Sequence, residues 1–295
     1  MRGELIDIGG RRLRVVRAGP VESNVLAVLE CGSFGCAADW AVVQSRLAAQ
    51  GVASLAYDRA GLGYSDPGPA PRDGVAIAAD LEALLARLGE GRPLVAVGHS
   101  MAGLFLRVFA PRNRERLLGL VLVDAVTPEL SEHRAGAAAV RAYRTAMRVV
   151  RRTAGLGYMG PVARVIGDLI GLEGEASLEK RRIYGSAVHA RWAAEEVVAW
   201  PTTSAQGAAA GAFDPALPVA VVTAGDGASV LKTLQSAPAV ASRAGRVEHV
   251  AGASHASLLG RRFADPIVAA VRHVLEAAGD YVSRGAAPQA ASSRS

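Results

Sequence analysis

Eight short apolar runs, each closed off by Gly, Pro or a charged residue, recur along the chain: residues 5–8, 13–17, 25–30, 52–57, 94–97, 118–123, 219–223 and 246–250. Runs of this length bounded by turn residues predict strands. The first two read as a hairpin turning at Gly9-Gly10. The later ones alternate with helical patterns over residues 39–49, 75–88, 101–111, 229–243 and 263–278. Such alternation predicts an α/β protein whose mainly parallel, eight-stranded sheet is flanked by helices. Residues A, V, I, L, M, F, W, Y and C make up 51% of the chain but aromatics only 5%, so the core is built from small side chains at close spacing.

Between Val126 and Pro218 the strand pattern stops, over a stretch too long for a structureless loop in a compact domain. Residues 131–153, 162–170, 178–200 and 203–212 are helical in pattern, punctuated by Gly155, Gly157, Gly160-Pro161 and Trp200-Pro201. The expected organisation is a core over residues 1–126 and 218–279, with a helical cap over 127–217. A C-terminal tail over 280–295 is expected to be disordered, since residues 285–295 hold Ala, Ser, Gln and Pro without periodicity.

Lys and Arg number 33 against 27 Asp and Glu, a net charge of +6, and the arginines are scattered rather than blocked. Neither an RNA-binding aromatic signature nor a zinc-finger spacing is present, so nucleic acid is not an expected partner. Cys31 and Cys36 are too few for a disulfide framework and read as free thiols of a reducing, cytoplasmic protein. The N-terminal residues alternate charged and apolar without a signal-peptide core, and no run of about 18 apolar residues suggests a membrane span.

Chemistry concentrates at Gly98-His99-Ser100-Met101-Ala102, directly after one predicted strand and directly before a helix. A serine on so sharp a turn needs small residues two positions to either side, because the backbones there nearly touch, and its hydroxyl is held clear of the sheet. Ala102 stands where a second glycine is usual, followed by Gly103.

With these residues the chain resembles the α/β-hydrolase family from Leu13 to about Ala278. Further matching pieces are the loop Tyr57-Asp58-Arg59-Ala60-Gly61-Leu62-Gly63-Tyr64-Ser65, the strand Leu120-Val121-Leu122-Val123-Asp124 and Gly252-Ala253-Ser254-His255. The resemblance implies Ser100 as nucleophile, but it is weak on substrate, because this scaffold hosts esterases, lactonases, peroxidases, dehalogenases and epoxide hydrolases. The last two usually carry aspartate at the elbow.

A serine hydroxyl needs a base. His99 belongs to the elbow and points away, His249 lies in a strand, His133 and His189 fall in the cap, and His273 sits inside the last helix. His255 alone occupies a small-residue loop between the last strand and last helix, so it is the expected base. Two acids keep the order Ser, acid, His. Asp226 follows the strand VAVVTAG where the family usually keeps its acid, and it is favoured; Asp124, ending the preceding strand, is the alternative. For the oxyanion hole, the amide of Met101 is one expected donor and that of Ser33, in Cys31-Gly32-Ser33-Phe34-Gly35, the other, with Phe34 as alternative. The His-Gly start found in many relatives is absent there.

Cys31 reads as a small buried hydrophobe rather than half of a metal pair. Asp58 and Arg59 read as loop-fixing residues. Arg141, Arg144, Arg148, Arg151 and Arg152 form a basic stripe read as a solvated helix face, and some of Tyr143, Tyr158, Tyr184, Trp192, Trp200 and Phe213 are expected to line the substrate pocket. The expected function is cofactor-independent and metal-independent hydrolysis of a carboxylic ester or related acyl bond, with a small acyl molecule and water as the partners and an acyl-Ser100 intermediate. Lactones, carbon–carbon bonds beside a carbonyl and peracid formation stay open on the same triad, as does a non-catalytic small-molecule-binding role.

Overall fold

The apolar runs become strands in the computed structural model, which describes residues 1–166, 168–226 and 229–283. They are β1 (Glu4–Asp7), β2 (Arg12–Ala18), β3 (Leu26–Glu30), β4 (Ala53–Tyr57), β5 (Leu94–His99), β6 (Leu117–Val123), β7 (Val219–Ala224) and β8 (Arg246–Val250). They form one sheet in the order β1-β2-β4-β3-β5-β6-β7-β8. The β1–β2 hairpin and the β2–β4 pair are antiparallel; all pairs from β4 to β8 are parallel. Parallel neighbours require crossovers, and helices supply them.

The helices are α1 (Ala41–Ala49), α2 (Gly74–Arg87), α3 (Ala102–Arg112), α4 (Pro128–Glu132), α5 (Arg134–Thr153), α6 (Met159–Ile166), α7 (Gly174–Tyr184), α8 (Ala187–Val198), α9 (Trp200–Ala209), α10 (Val230–Ala241) and α11 (Asp265–Ser283). Alternate strand residues serve opposite faces of the sheet. Ala27, Leu29, Val95, Val97, Val121 and Val123 pack with Val43 and Leu47 of α1 and Ile267, Val271 and Val274 of α11. Their neighbours Leu26, Val28, Ala96, Leu120 and Leu122 pack with Leu81 and Leu84 of α2 and Leu106 and Phe109 of α3. Each such Val or Leu contributes roughly 1.5–3 kcal/mol by leaving water, so the two-sided burial of β3, β5 and β6 makes them the rigid centre.

Helices α4 to α9 all lie between β6 and β7. The continuous pattern over residues 178–200 divides into α7 and α8, because Ser186 starts a new helix by accepting a hydrogen bond from the His189 amide. The last helix continues to Ser283, past the expected tail boundary at 280; residues 284–295, where the rest of that tail falls, lie outside the described residues. No helix among the described residues is long and apolar enough to cross a membrane.

A buried arginine joins the end of β4 to the inserted helices. Arg59, after β4, donates through Nε and Nη2 to both carboxylate oxygens of Glu196 in α8, at 2.9 and 2.7 Å, and through Nη1 to Glu30 at the end of β3, at 2.6 Å. Nη1 and Nη2 also reach the Cys31 and Gly32 carbonyls. Arg59→Met would leave two buried carboxylates without their cation, so urea unfolding should show a loss of about 3–5 kcal/mol. A loss below about 1 kcal/mol, within the range of an ordinary surface change, would contradict this role for Arg59.

Candidate active site

β5 ends and α3 begins on either side of Ser100, whose φ of +57° lies in the left-handed region. That turn persists because the surroundings over-determine it: the Ser100 amide donates to Val123 O at 3.0 Å, and the Ser100 carbonyl accepts from the Val126 and Gly103 amides at 2.8 and 3.1 Å. A side chain at position 98 would come within 2.7 Å of Leu106, which is why a glycine precedes the turn.

His255 lies on the loop after β8 with its side chain 52% exposed, and it lines one cavity of about 140 Å³ together with Ser100. No hydrogen bond joins the two side chains among the described residues. His255 Nδ1 instead donates to Asp124 Oδ2 at 2.5 Å, which fixes the proton on Nδ1 and leaves Nε2 as the basic nitrogen. Asp124 Oδ1 accepts from Gln235 Nε2 at 3.1 Å and the Ala224 amide at 3.3 Å. Burial works against ionising Asp124, but the hydrogen bonds from His255, Ala224 and Gln235 outweigh it and hold its carboxyl below the ordinary aspartate range.

The structure thus pairs His255 with the alternative carboxylate, Asp124, and not with the favoured Asp226. Asp226 is an exposed turn residue after β7 that forms no hydrogen bond or ion pair among the described residues. Asp124 is turned toward His255 by its own left-handed backbone, φ +42°, a conformation that the sequence does not signal.

The loop after β3 approaches the elbow closely: a β-carbon on Gly32 would stand 2.8 Å from Ser100 Cβ. The backbone amides of Ser33, Phe34 and Met101 donate no hydrogen bond among the described residues. Phe34 has φ +56°, so the three non-glycine residues with left-handed backbone among the described residues, Phe34, Ser100 and Asp124, all gather here. Ser33 lines the cavity and its Oγ is 3.2 Å from Tyr143 Oη of α5, whereas the Phe34 ring turns away to meet His189 edge-on.

Asp39, Lys180 and Tyr184 complete the cavity wall, with Leu169, Ile170 and Leu259 as its apolar part. Sequence reasoning missed Asp39 and Lys180; neither sits in a motif, and they are 141 residues apart. It also missed Gln235 and the carboxylates Glu30 and Glu196 that hold Arg59. Asp58 accepts from the Ala37 and Tyr64 amides at 2.7 and 3.0 Å, in keeping with a loop-fixing residue. Both cysteines are buried free thiols, and burial pushes both well above the ordinary thiol range. Of the aromatics named from sequence, Tyr184 lines the cavity. Trp192 packs on Gly61, Trp200 donates to Ser131, Tyr158 pairs with Thr153, and Phe213 lies under Arg107. In the basic stripe Arg144 caps the Val198 carbonyl and Arg151 pairs with Glu195, while Arg141, Arg148 and Arg152 are exposed.

The other histidines are accounted for elsewhere. His99 lines the cavity edge and donates from Nε2 to the His255 carbonyl at 3.0 Å; burial, then His255, push its pKa to about 3, so it stays neutral. His133 caps α5, His249 meets Thr223 Oγ1, and His273 donates to the Ala244 carbonyl. His189 Nδ1 accepts from the Gly63 amide at 3.1 Å.

Residues 28–148 match the family model described as alpha/beta hydrolase fold. A curated relative, "Probable transporter efuK" of Hormonema carpetanum, is 36% identical over 129 residues, 42% of this chain. The matched stretch spans only 18% to 32% of the curated relatives' own lengths. Among solved structures, a thermophilic esterase from Thermogutta terrifontis superposes with a TM-score of 0.65 at 21% identity, covering 94% of this chain and 99% of that one. The epoxide hydrolase CorEH superposes with a TM-score of 0.70 at 20% identity, covering 92% of this chain and 98% of that one.

Burial, and after it the charge of Lys180, depress the His189 pKa from 6.5 to about 3. As pH falls below the unfolded value, the unfolded chain takes up a proton there that the folded one refuses, so stability drops from about pH 6.5 downward. For His189→Asn, the fall in unfolding free energy between about pH 7.5 and 5.5 should be smaller than in the wild type by about 1.4 kcal/mol. Equal falls in both proteins would exclude a neutral buried His189.

Proposed function

The chain has the α/β-hydrolase fold, and on that scaffold we propose that it is a serine hydrolase cleaving a carboxylic ester or related acyl bond. One observation carries the reading: a serine on a strained strand-to-helix turn shares a cavity with a histidine whose far nitrogen is held by an ionised aspartate. Ser100 Oγ attacks the acyl carbon while His255 Nε2 takes its proton, a hydrogen bond made in the substrate complex. Asp124 holds the tautomer and stabilises the imidazolium. The oxyanion is met by the Met101 amide and by that of Ser33 or Phe34, all without other partners among the described residues. His255 then returns the proton to the departing alcohol. Water, deprotonated by the same Nε2, attacks the acyl-serine and frees the acid and Ser100. No step calls for a cofactor.

Serine rather than aspartate at the elbow favours acyl transfer over the chemistry named for the epoxide hydrolase neighbour. A fluorophosphonate probe should label Ser100 in the folded wild type and fail to label Ser100→Ala; an unlabelled wild type would favour a binding role instead. Asp124→Asn should lower kcat by about a thousandfold or more on a short-chain ester, since the imidazole then loses its tautomer. Asp226→Asn should stay near wild type, and the converse pattern would return the acid to β7.

A further inference from the structure

The cavity beside Ser100 holds an ammonium group that the acyl chemistry does not use. Lys180, in α7, is 3% exposed yet lines the cavity. Its Nζ pairs with Asp39 and lies 4.4 Å from the centroid of the Tyr184 ring. An ammonium has three N–H donors. The carboxylate takes one and the ring face a second; the third has no hydrogen-bond partner among the described residues, in a wall whose apolar part is Leu169, Ile170, Ala256 and Leu259 and whose polar part includes Ser33, His99, Ser100 and His255. Burial disfavours the charged form, but Asp39 outweighs it and keeps Lys180 protonated.

The charge balance narrows what this donor can take. Asp39 already neutralises Lys180, and Asp124 is engaged by His255, so a substrate carboxylate would find no free counter-charge on these groups. A neutral oxygen needs no counter-charge and satisfies the free N–H. Size gives a second guide: about 140 Å³, roughly the liquid volume of four or five waters, suits a short substrate group.

We propose that Lys180 is a specificity residue whose remaining N–H reads a neutral oxygen acceptor, an ether, hydroxyl or ketone, on the short substrate group that fills the cavity beside Ser100. This rests on the serine-hydrolase reading above. Two isosteric pairs test it, one for each side of the ester bond: 4-nitrophenyl pentanoate against 4-nitrophenyl 3-methoxypropanoate, and butyl acetate against 2-methoxyethyl acetate. In the wild type the ether member of one pair should be favoured by about tenfold in kcat/KM, and in Lys180→Met that ratio should fall to about one. Should Lys180→Met fail to fold with Asp39 unpaired, Lys180→Met/Asp39→Asn removes both charges and gives the same ratio.

A ratio near one in both wild-type pairs, or a preference that survives the loss of Lys180, would overturn the assignment. So would 4-nitrophenyl succinate being turned over better than the 3-methoxypropanoate ester, because the reader would then be one of anions. Fluorophosphonate labelling of the wild type keeps the two readings apart. Labelled Ser100 with an unchanged ratio defeats the role of Lys180 alone, and unlabelled Ser100 defeats the hydrolase reading beneath it.

Discussion

The loop that faces Ser100 hangs on the guanidinium of Arg59. All five of its N–H donors are used, three on the carboxylates of Glu30 and Glu196 and two on the Cys31 and Gly32 carbonyls. Its flat face lies 4.9 Å from the centroid of Phe105 in α3. Lysine, a point donor with three protons, could not reproduce this fork. Two carboxylates around one buried cation leave an excess of negative charge. Burial accordingly lifts Glu30 above the ordinary carboxyl range despite Arg59, while the Tyr57 hydroxyl donates to its second oxygen. By turning two loop carbonyls inward, Arg59 helps to fix the peptide planes from which the Gly32 and Ser33 amides project.

That fixed loop explains where the backbone strain sits. Left-handed residues other than glycine cost energy and persist only where tertiary contacts hold them. Phe34, Ser100 and Asp124 are such residues, each directly after or close to the end of a central strand buried on both faces. Strands β3, β5 and β6 are adjacent in the sheet, so three strained ends meet at one edge. The rigid centre of the sheet thus holds these residues in conformations that a free peptide would abandon.

Much of this was legible in the chain. The strand runs and the elbow at Ser100 are local patterns, dictated by burial period and by steric need for small neighbours, and both appear as read. His255 could be singled out because a loop after the last strand is the one histidine position that reaches the same sheet edge as Ser100. The carboxylate that pairs with His255 could not be singled out that way. Asp124 and Asp226 each follow a parallel strand and precede small residues, so their sequence surroundings are alike; what separates them is a backbone angle at Asp124 and the amide of Gln235, 111 residues away. Glu196, Asp39 and Lys180 were invisible for a similar reason. A charged residue on an amphipathic helix reads as solvated until a partner from another element is seen to bury it.

The half-exposed ring of His255 has a further consequence for the chemistry proposed. Ser100 is partly enclosed between the loop after β3 and the inserted helices, but His255 stands at the border with bulk solvent. On the proposed mechanism an acyl group on Ser100 would be open to attack by any small hydroxylic molecule that reaches the imidazole from outside. In a medium rich in short alcohols that acyl-enzyme would partition toward transesterification, so the proposed hydrolase would act there as an acyltransferase.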